Sequence, residues 1–297
     1  MLQAWADILL QGIRPGQVRV LGINGGVLTD FELRLGLALG AVVGVAEDSG
    51  RVVKTLLDVR SPCRPEALVP LPTDAATWAA FIRGASQELD RLTDQEVERA
   101  AQRVHEQLCK DNVTNPEKRD RSVLPWQKLP EAYRGYDRQQ VRLAAQILAA
   151  VWYDVVPAGP DESLDPENPP IPAGYESKLE ALAELEHGRL CAERLLDGWR
   201  YGPKKDMLRK LSSEIVPWAK LSEATKEHGF DAVRNFPKWL AAAELRIVPR
   251  RIAIGAEERT VRVWDAESGA ELRVFRGHEE PVTTVRLYAP SQQSSPR

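Results

Sequence analysis

A chain of 297 residues, 43% hydrophobic and 28% charged, has enough apolar material for one to three globular domains. Its net charge of −3 excludes the strong basic excess of a general nucleic-acid binder. The three cysteines (Cys63, Cys109, Cys191) are odd in number and far from one another, and the four histidines are equally scattered among themselves, so neither a disulfide framework nor a zinc site is suggested and no cofactor is expected. The start, MLQAWADILLQG, lacks the basic end and long apolar core of a signal peptide. The longest apolar run, residues 35–46, is too short to span a bilayer and carries glycines. The expected setting is a reducing cytoplasm, with neither membrane nor nucleic acid as partner. The Ala/Leu/Arg-rich composition is bacterial in character.

In chain order, residues 18–84 alternate strand and helix. VRVLGI, AVVGVA and residues 67–71 read as strands, with helices expected over 30–40, 51–58 and 74–83 and Asp74 as an N-cap. Strands separated by helices imply parallel pairing with right-handed crossovers. Three strands make only a reduced or half doubly wound sheet.

Residues 86–157 read as helical, with Val97, Ala100, Ala101, Val104 and Leu108 on one face and Val141, Ala145, Leu148 and Trp152 on another. Residues 158–175 are proline-rich and acidic, which predicts an extended, exposed spacer. Residues 176–249 are helical again, with Leu182, Leu185, Ala192 and Leu196 on the first helix face. The two helical segments are related. Residues 124–157 align without gaps on 216–249, a shift of 92, with 13 of 34 pairs identical, among them Pro125/Pro217, Trp126/Trp218, Leu129/Leu221 and Pro157/Pro249. Residues 250–290 alternate in period two through RIAIG, TVRVWD, ELRVFRGH and PVTTVRLYAP, a four-stranded antiparallel meander. The tail, 291–297, is expected to be disordered. The fold class is therefore α/β + α: a partial Rossmann-like parallel sheet, two helical modules and a small C-terminal β meander.

The second copy resembles the ryanodine receptor (RyR) repeat through His187, Arg194, Gly198, Trp199, Tyr201, Gly202, Pro217, Leu221 and Glu223. The first copy is similar through Val104, His105, Glu106, Pro125, Trp126, Leu129, Tyr136, Asp137 and Arg138. It lacks the GWRYG segment and is about ten residues shorter between His105 and Pro125. Residues 1–84 resemble the SLOG superfamily of nucleotide-ligand-binding, Rossmann-like domains. Its PGGxGTxxE motif falls on residues 24–32, where Gly25, Gly26, Thr29 and Glu32 match while Asn24 and Leu28 depart. Gly22, Arg34 and Ser49-Gly50-Arg51 extend the likeness to SLOG proteins that carry RyR repeats. The C-terminal meander resembles one WD repeat, through Trp264-Asp265 and Gly277-His278, with Glu258 where the family has aspartate. One blade cannot close a propeller.

These resemblances imply a non-enzymatic sensor for a nucleotide-derived ligand. A glycine turn between strand and helix brings backbone N–H groups and a positive helix end to a phosphate. Gly22, Asn24, Gly25, Gly26, Thr29, Glu32, Ser49, Gly50 and Arg51 form that candidate site. Trp199, Arg200, Tyr201, Lys204 and Lys205, where aromatics alternate with bases, form a second one. No catalytic residue is expected. A degenerate LOG-type phosphoribohydrolase is the minor enzymatic alternative, because only Arg14 and Arg19 stand upstream as partners for Glu32. A protein-interaction adaptor is the other alternative. Trp126 and Trp218 are expected in cores, and every histidine in a structural role.

Overall fold

The computed structural model describes residues 2–58, 67–83, 92–113, 124–159, 162–256 and 260–277. The helices are α1 (Leu2–Leu10), α2 (Val27–Leu39), α3 (Arg51–Leu57), α4 (Ala75–Arg83), α5 (Asp94–Val113), α6 (Glu131–Ala150), α7 (Leu179–Leu196), α8 (Glu223–Arg234) and α9 (Phe236–Ala242). The strands are β1 (Arg19–Gly22), β2 (Val42–Ala46), β3 (Leu68–Leu71), β4 (Tyr153–Pro157), β5 (Arg200–Tyr201), β6 (Leu211–Ser212), β7 (Leu245–Pro249), β8 (Arg251–Ala256), β9 (Thr260–Asp265) and β10 (Glu271–Phe275). The fold is mixed α/β, and no described helix is long and apolar enough to cross a membrane. The chain divides into two compact units, residues 1–88 with 183–231 and residues 89–182 with 232–297.

In the first unit β1, β2 and β3 form a parallel sheet in that order. Both faces of β2 are covered, which is why it reads as an almost unbroken apolar run. On one face Val43 and Val45 pack with Leu33 of α2 and Val53 and Leu56 of α3. On the other, Val69 and Leu71 pack with Phe81 of α4, Ala192 and Leu195 of α7, and Ile215. Gly44 lets this happen: a Cβ there would sit 2.7 Å from both Leu71 and Phe81. Gly188 does the same on α7, where a Cβ would lie 2.5 Å from the Ala76 backbone. The expected N-cap is present, with the Thr77 N–H donating to Asp74 Oδ2 at 2.8 Å. Helix α1, which the sequence pattern did not single out, has no buried residue.

The second unit holds an antiparallel ladder between β4 and β7. Val155 pairs with Ile247, and these two are equivalents in the shift of 92. The ladder is therefore symmetric about them. The Ala158 N–H donates to the Glu244 carbonyl and the Arg250 N–H to the Trp152 carbonyl, both at 2.8 Å. Trp152 (φ 68°) and Glu244 (φ 57°), again 92 apart, both adopt the left-handed backbone that ends the preceding helix. Helix α5 packs on α6 and α9. Thr93 and Glu96 form its capping box, the Thr93 N–H donating to Glu96 Oε2 at 2.7 Å and the Glu96 N–H to Thr93 Oγ1 at 3.3 Å.

The proline-rich segment carries no helix or strand in its described part, and much of that part is exposed, but it also makes specific contacts. Leu164 is buried, its N–H donates to Glu244 Oε2 (3.3 Å), and Glu162 pairs with Arg246. The Tyr175 hydroxyl donates to the Val233 carbonyl at 2.7 Å. The C-terminal meander shows three strands, in the order β10-β9-β8. The expected fourth strand, Glu258, His278 and the tail lie outside the described residues.

Candidate functional site

Two loops leave the carboxyl ends of parallel strands β1 and β2 in the first unit, where ligands of open α/β sheets are held. The loop after β1 turns through Asn24 (φ 57°) and Gly25 (φ 104°) into Gly26, which caps α2. Gly25 is enforced twice: its φ lies in the left-handed region, and a Cβ would meet the Thr29 side chain at 2.5 Å. Gly26 faces open space and no side chain caps the helix. Gly22 is a packing glycine, where a Cβ would strike Leu33 at 2.8 Å.

The loop after β2 supplies Ser49 and Gly50, and Arg51 opens α3. One hydrogen bond joins the two loops. The Asn24 N–H donates to Ser49 Oγ at 2.7 Å, and the Ser49 hydroxyl donates to the Ala46 carbonyl at 2.7 Å. Two stretches 25 residues apart thus become one cluster. Thr29 is half-buried and Glu32 exposed on α2. Arg19 is directed elsewhere, donating to the Phe81 carbonyl at 2.7 Å and lying over the Phe81 ring. Arg14 is exposed.

The second candidate group is tied into its own loop. Trp199 packs on the core of the sheet's second face, and its indole N–H donates to Asp197 Oδ2 at 3.1 Å. The Arg194 guanidinium lies 5.6 Å from its ring centre and also pairs with Glu214 at 2.8 Å. The Arg200 guanidinium donates to the Leu195 and Trp199 carbonyls, tying off the end of α7. Tyr201, Lys204 and Lys205 point outward. The arrangement anchors a loop, and its outer side is basic.

A constellation that the sequence reading missed occurs twice. His187 Nε2 lies 2.8 Å from the Val216 carbonyl and 3.4 Å from Cys191 Sγ, and its ring stands 5.8 Å from Trp218. His105 Nε2 lies 2.7 Å from the Leu124 carbonyl and 3.4 Å from Cys109 Sγ, with Trp126 at 5.7 Å. A carbonyl only accepts, so Nε2 carries the proton in both rings. The signal was available: His-x-x-x-Cys followed by Pro-Trp appears in both copies.

The copies differ at Nδ1. In the first, Asp137 Oδ2 is 3.1 Å from His105 Nδ1; in the second, the equivalent of Asp137 is Gly229. A Cβ at Gly229 would meet the Trp218 ring at 3.2 Å. With Nε2 protonated, the His105–Asp137 contact needs one further proton, on the ring or on the carboxyl. Burial raises the Asp137 carboxyl from its ordinary value while His105 pulls it down.

Cys109, His105 and Asp137 resemble a nucleophile triad in outline, yet the chemistry is wrong. The Nε2 proton faces the Leu124 carbonyl, so that nitrogen cannot take one from sulfur. Burial, then Asp137 and Glu106, raise the Cys109 thiol; burial first, then Asp74, pushes Cys191 up to about 12. Both units of histidine, carbonyl, cysteine and tryptophan are structural. Among the described residues no three His, Cys, Asp or Glu side chains are grouped to hold a metal ion.

One comparison with known families bears on the second copy. The family model described as the RyR domain matches residues 162–249. The span ends where the second copy was expected to end but begins inside the proline-rich segment, in keeping with the contacts of Glu162 and Leu164 to β7 and the turn before it. It includes His187, Cys191, Trp218 and the basic loop after α7, so over residues 162–249 the chain is similar to the RyR domain.

Proposed function

We propose that the protein is a non-enzymatic, cytoplasmic sensor that recognises a nucleotide-derived ligand at the turn after β1. The observation that carries this reading is the 2.7 Å hydrogen bond from the Asn24 N–H to Ser49 Oγ. It draws the glycine turn and the Ser49-Gly50-Arg51 segment together at the carboxyl edge of a parallel sheet, beside the start of α2. Gly26, with open space at its Cβ position, leaves room for a phosphate to approach the first N–H groups of the helix. Glu32 and Thr29, on the first turns of α2, would take hydroxyl groups of a ribose. In this account residues 1–84 are the SLOG-like half of a Rossmann-type layer, and residues 86–157 a second RyR-type module that shares the His–carbonyl–Cys–Trp geometry. Residues 250–290 are a single WD-type blade.

The reading is non-enzymatic because Arg19, the nearer upstream arginine, is engaged at Phe81 and not turned to Glu32. Equilibrium dialysis of the full chain against labelled ATP, ADP-ribose, NAD, nucleoside monophosphates and cyclic dinucleotides tests it. One compound should be retained, and Ser49→Val should weaken its retention while leaving the far-UV spectrum unchanged. Retention of none of them would contradict the reading. Release of free base from a nucleoside monophosphate, lost in Glu32→Ala, would point to the hydrolase instead.

The adaptor reading also has an observation behind it. Ile252, Ile254, Leu272 and Phe275 on strands β8 and β10 are exposed apolar side chains, which a protein partner would cover. Pull-down of a single stoichiometric protein through residues 176–288, in the absence of any small-molecule ligand, would favour it.

A further inference from the structure

The ten residues that the second copy has in excess of the first lie between α7 and Pro217, and they build a turn with an unusual surface. Asp206 and Leu211 exchange backbone hydrogen bonds (2.9 and 2.8 Å), closing a loop over Met207–Lys210. The Arg209 N–H donates to Asp206 Oδ1 at 3.0 Å, and Lys210 takes the left-handed conformation (φ 52°). The Lys210 ammonium is held on the Asp197 carbonyl and carboxylate. The turn is thus fixed from within. What it presents is Leu208, 99% exposed, and Met207, 67% exposed.

A turn closed by its own hydrogen bonds that puts one apolar side chain wholly and its neighbour largely into water has no internal reason to do so. The flanks are basic: Lys204 and Lys205 on one side, Arg209 and Lys210 on the other, with Arg200 behind and Asp206 the one acid from residue 200 to 212. This local excess stands in a chain of net charge −3. Residues 114–123, the counterpart in the first copy, are also charged but contain no Met, Leu or aromatic residue. Apolar tip and basic collar are therefore combined in the second copy alone.

We propose that the Met207–Lys210 turn docks the RyR domain on an anionic lipid bilayer. Met207 and Leu208 enter the boundary between headgroups and acyl chains, while Lys204, Lys205 and Arg209 stay among the anionic headgroups. A fluid bilayer accepts a protruding pair of side chains without a matching cavity. Nucleic acid would use the bases but has no need of the leucine. This is surface docking and is compatible with the absence of a membrane-spanning helix among the described residues. It does not depend on the ligand site at Gly26.

The test is co-sedimentation of the full chain with vesicles of phosphatidylcholine alone and of phosphatidylcholine mixed with phosphatidylserine. The expected result is binding to the mixed vesicles only, weakened by salt. Met207→Ser with Leu208→Ser should reduce partitioning by about tenfold or more, and Lys204→Gln with Lys205→Gln by about tenfold. All four positions are exposed, so both variants should keep the wild-type melting temperature. No binding to mixed vesicles, or binding that neither double variant weakens, overturns the proposal. Capture of nucleic acid or an acidic protein by a chain that ignores the vesicles overturns it equally.

Discussion

Val155 and Ile247 face each other across the β4–β7 ladder, 92 residues apart in a chain whose residues 124–157 and 216–249 repeat at a shift of 92. Each is the other's equivalent, so the ladder is self-complementary about this one pair. Both side chains are buried. An aspartate at either position would bury a carboxylate without a partner and cost roughly 3 kcal/mol or more. Because the surroundings are symmetric, Val155→Asp and Ile247→Asp should lower the denaturation midpoint by similar amounts. A large effect at one position and none at the other would contradict the symmetry.

The two His–Cys pairs differ in access. Cys191 is buried and its thiol pushed up to about 12, whereas Cys109 is half-buried, its thiol also raised by burial. In a Cys63→Ser background at mildly alkaline pH, a thiol reagent should label Cys109 in the native chain and Cys191 only on unfolding. Equal labelling rates for both would argue that α7 does not hold its cysteine against the sheet core.

The His105–Asp137 pair predicts an acid-side pH dependence. Burial, its largest cause, lifts the Asp137 carboxyl above its ordinary 3.8. The folded state then holds this proton more tightly than the unfolded state. The stability it contributes is complete below 3.8 and is lost as pH rises through the folded-state value. Asp137→Asn should flatten the stability profile on the side above 3.8, measured by denaturant titration at a series of pH values. A profile as steep as that of the wild type would remove Asp137 from the account.

The adjacent glycines Gly25 and Gly26 should behave oppositely. Gly25→Ala forces a side chain into a left-handed backbone and onto Thr29, costing about 1–3 kcal/mol. Gly26→Ala meets nothing within 4 Å at φ −113° and should leave the melting temperature nearly unchanged. Trp199→Ala should lower stability through the half-buried indole on the sheet core, by about 2 kcal/mol. It should leave ligand affinity at the turn intact.

Much of this was readable from the amino acids. The duplication showed because Pro125/Pro217 and Trp126/Trp218 recur without gaps, and the sheet showed because β2, covered on both faces, cannot alternate. The role of α7 did not show. Ala192 and Leu195 look like any helix face, and nothing local says that they cover β3 and Phe81. The histidine constellation was hidden by spacing: His105 and His187 are 82 apart while the tryptophans are 92 apart, so the gapless alignment never places the histidines together. At the candidate site the sequence supplied the glycine turn and Ser49 separately, and only the fold joins them through the Asn24 N–H. Arg200 read as an available cation, yet its guanidinium is engaged by the carbonyls at the end of α7, which composition cannot reveal.

Calorimetric titration of the wild-type chain and Gly26→Asp with the nucleotide retained in dialysis addresses the central claim most directly. An aspartate at the helix cap places a negative charge where the phosphate would sit, while the open space around Gly26 spares the fold. The account predicts saturable one-site binding to the wild type, with ligand at a hundredfold excess over its Kd adding about 2.7 kcal/mol of stability. In Gly26→Asp the binding should be lost while the melting temperature of the free protein does not fall, aspartate being a favourable N-cap. Undiminished binding to Gly26→Asp would place the ligand elsewhere and contradict the account.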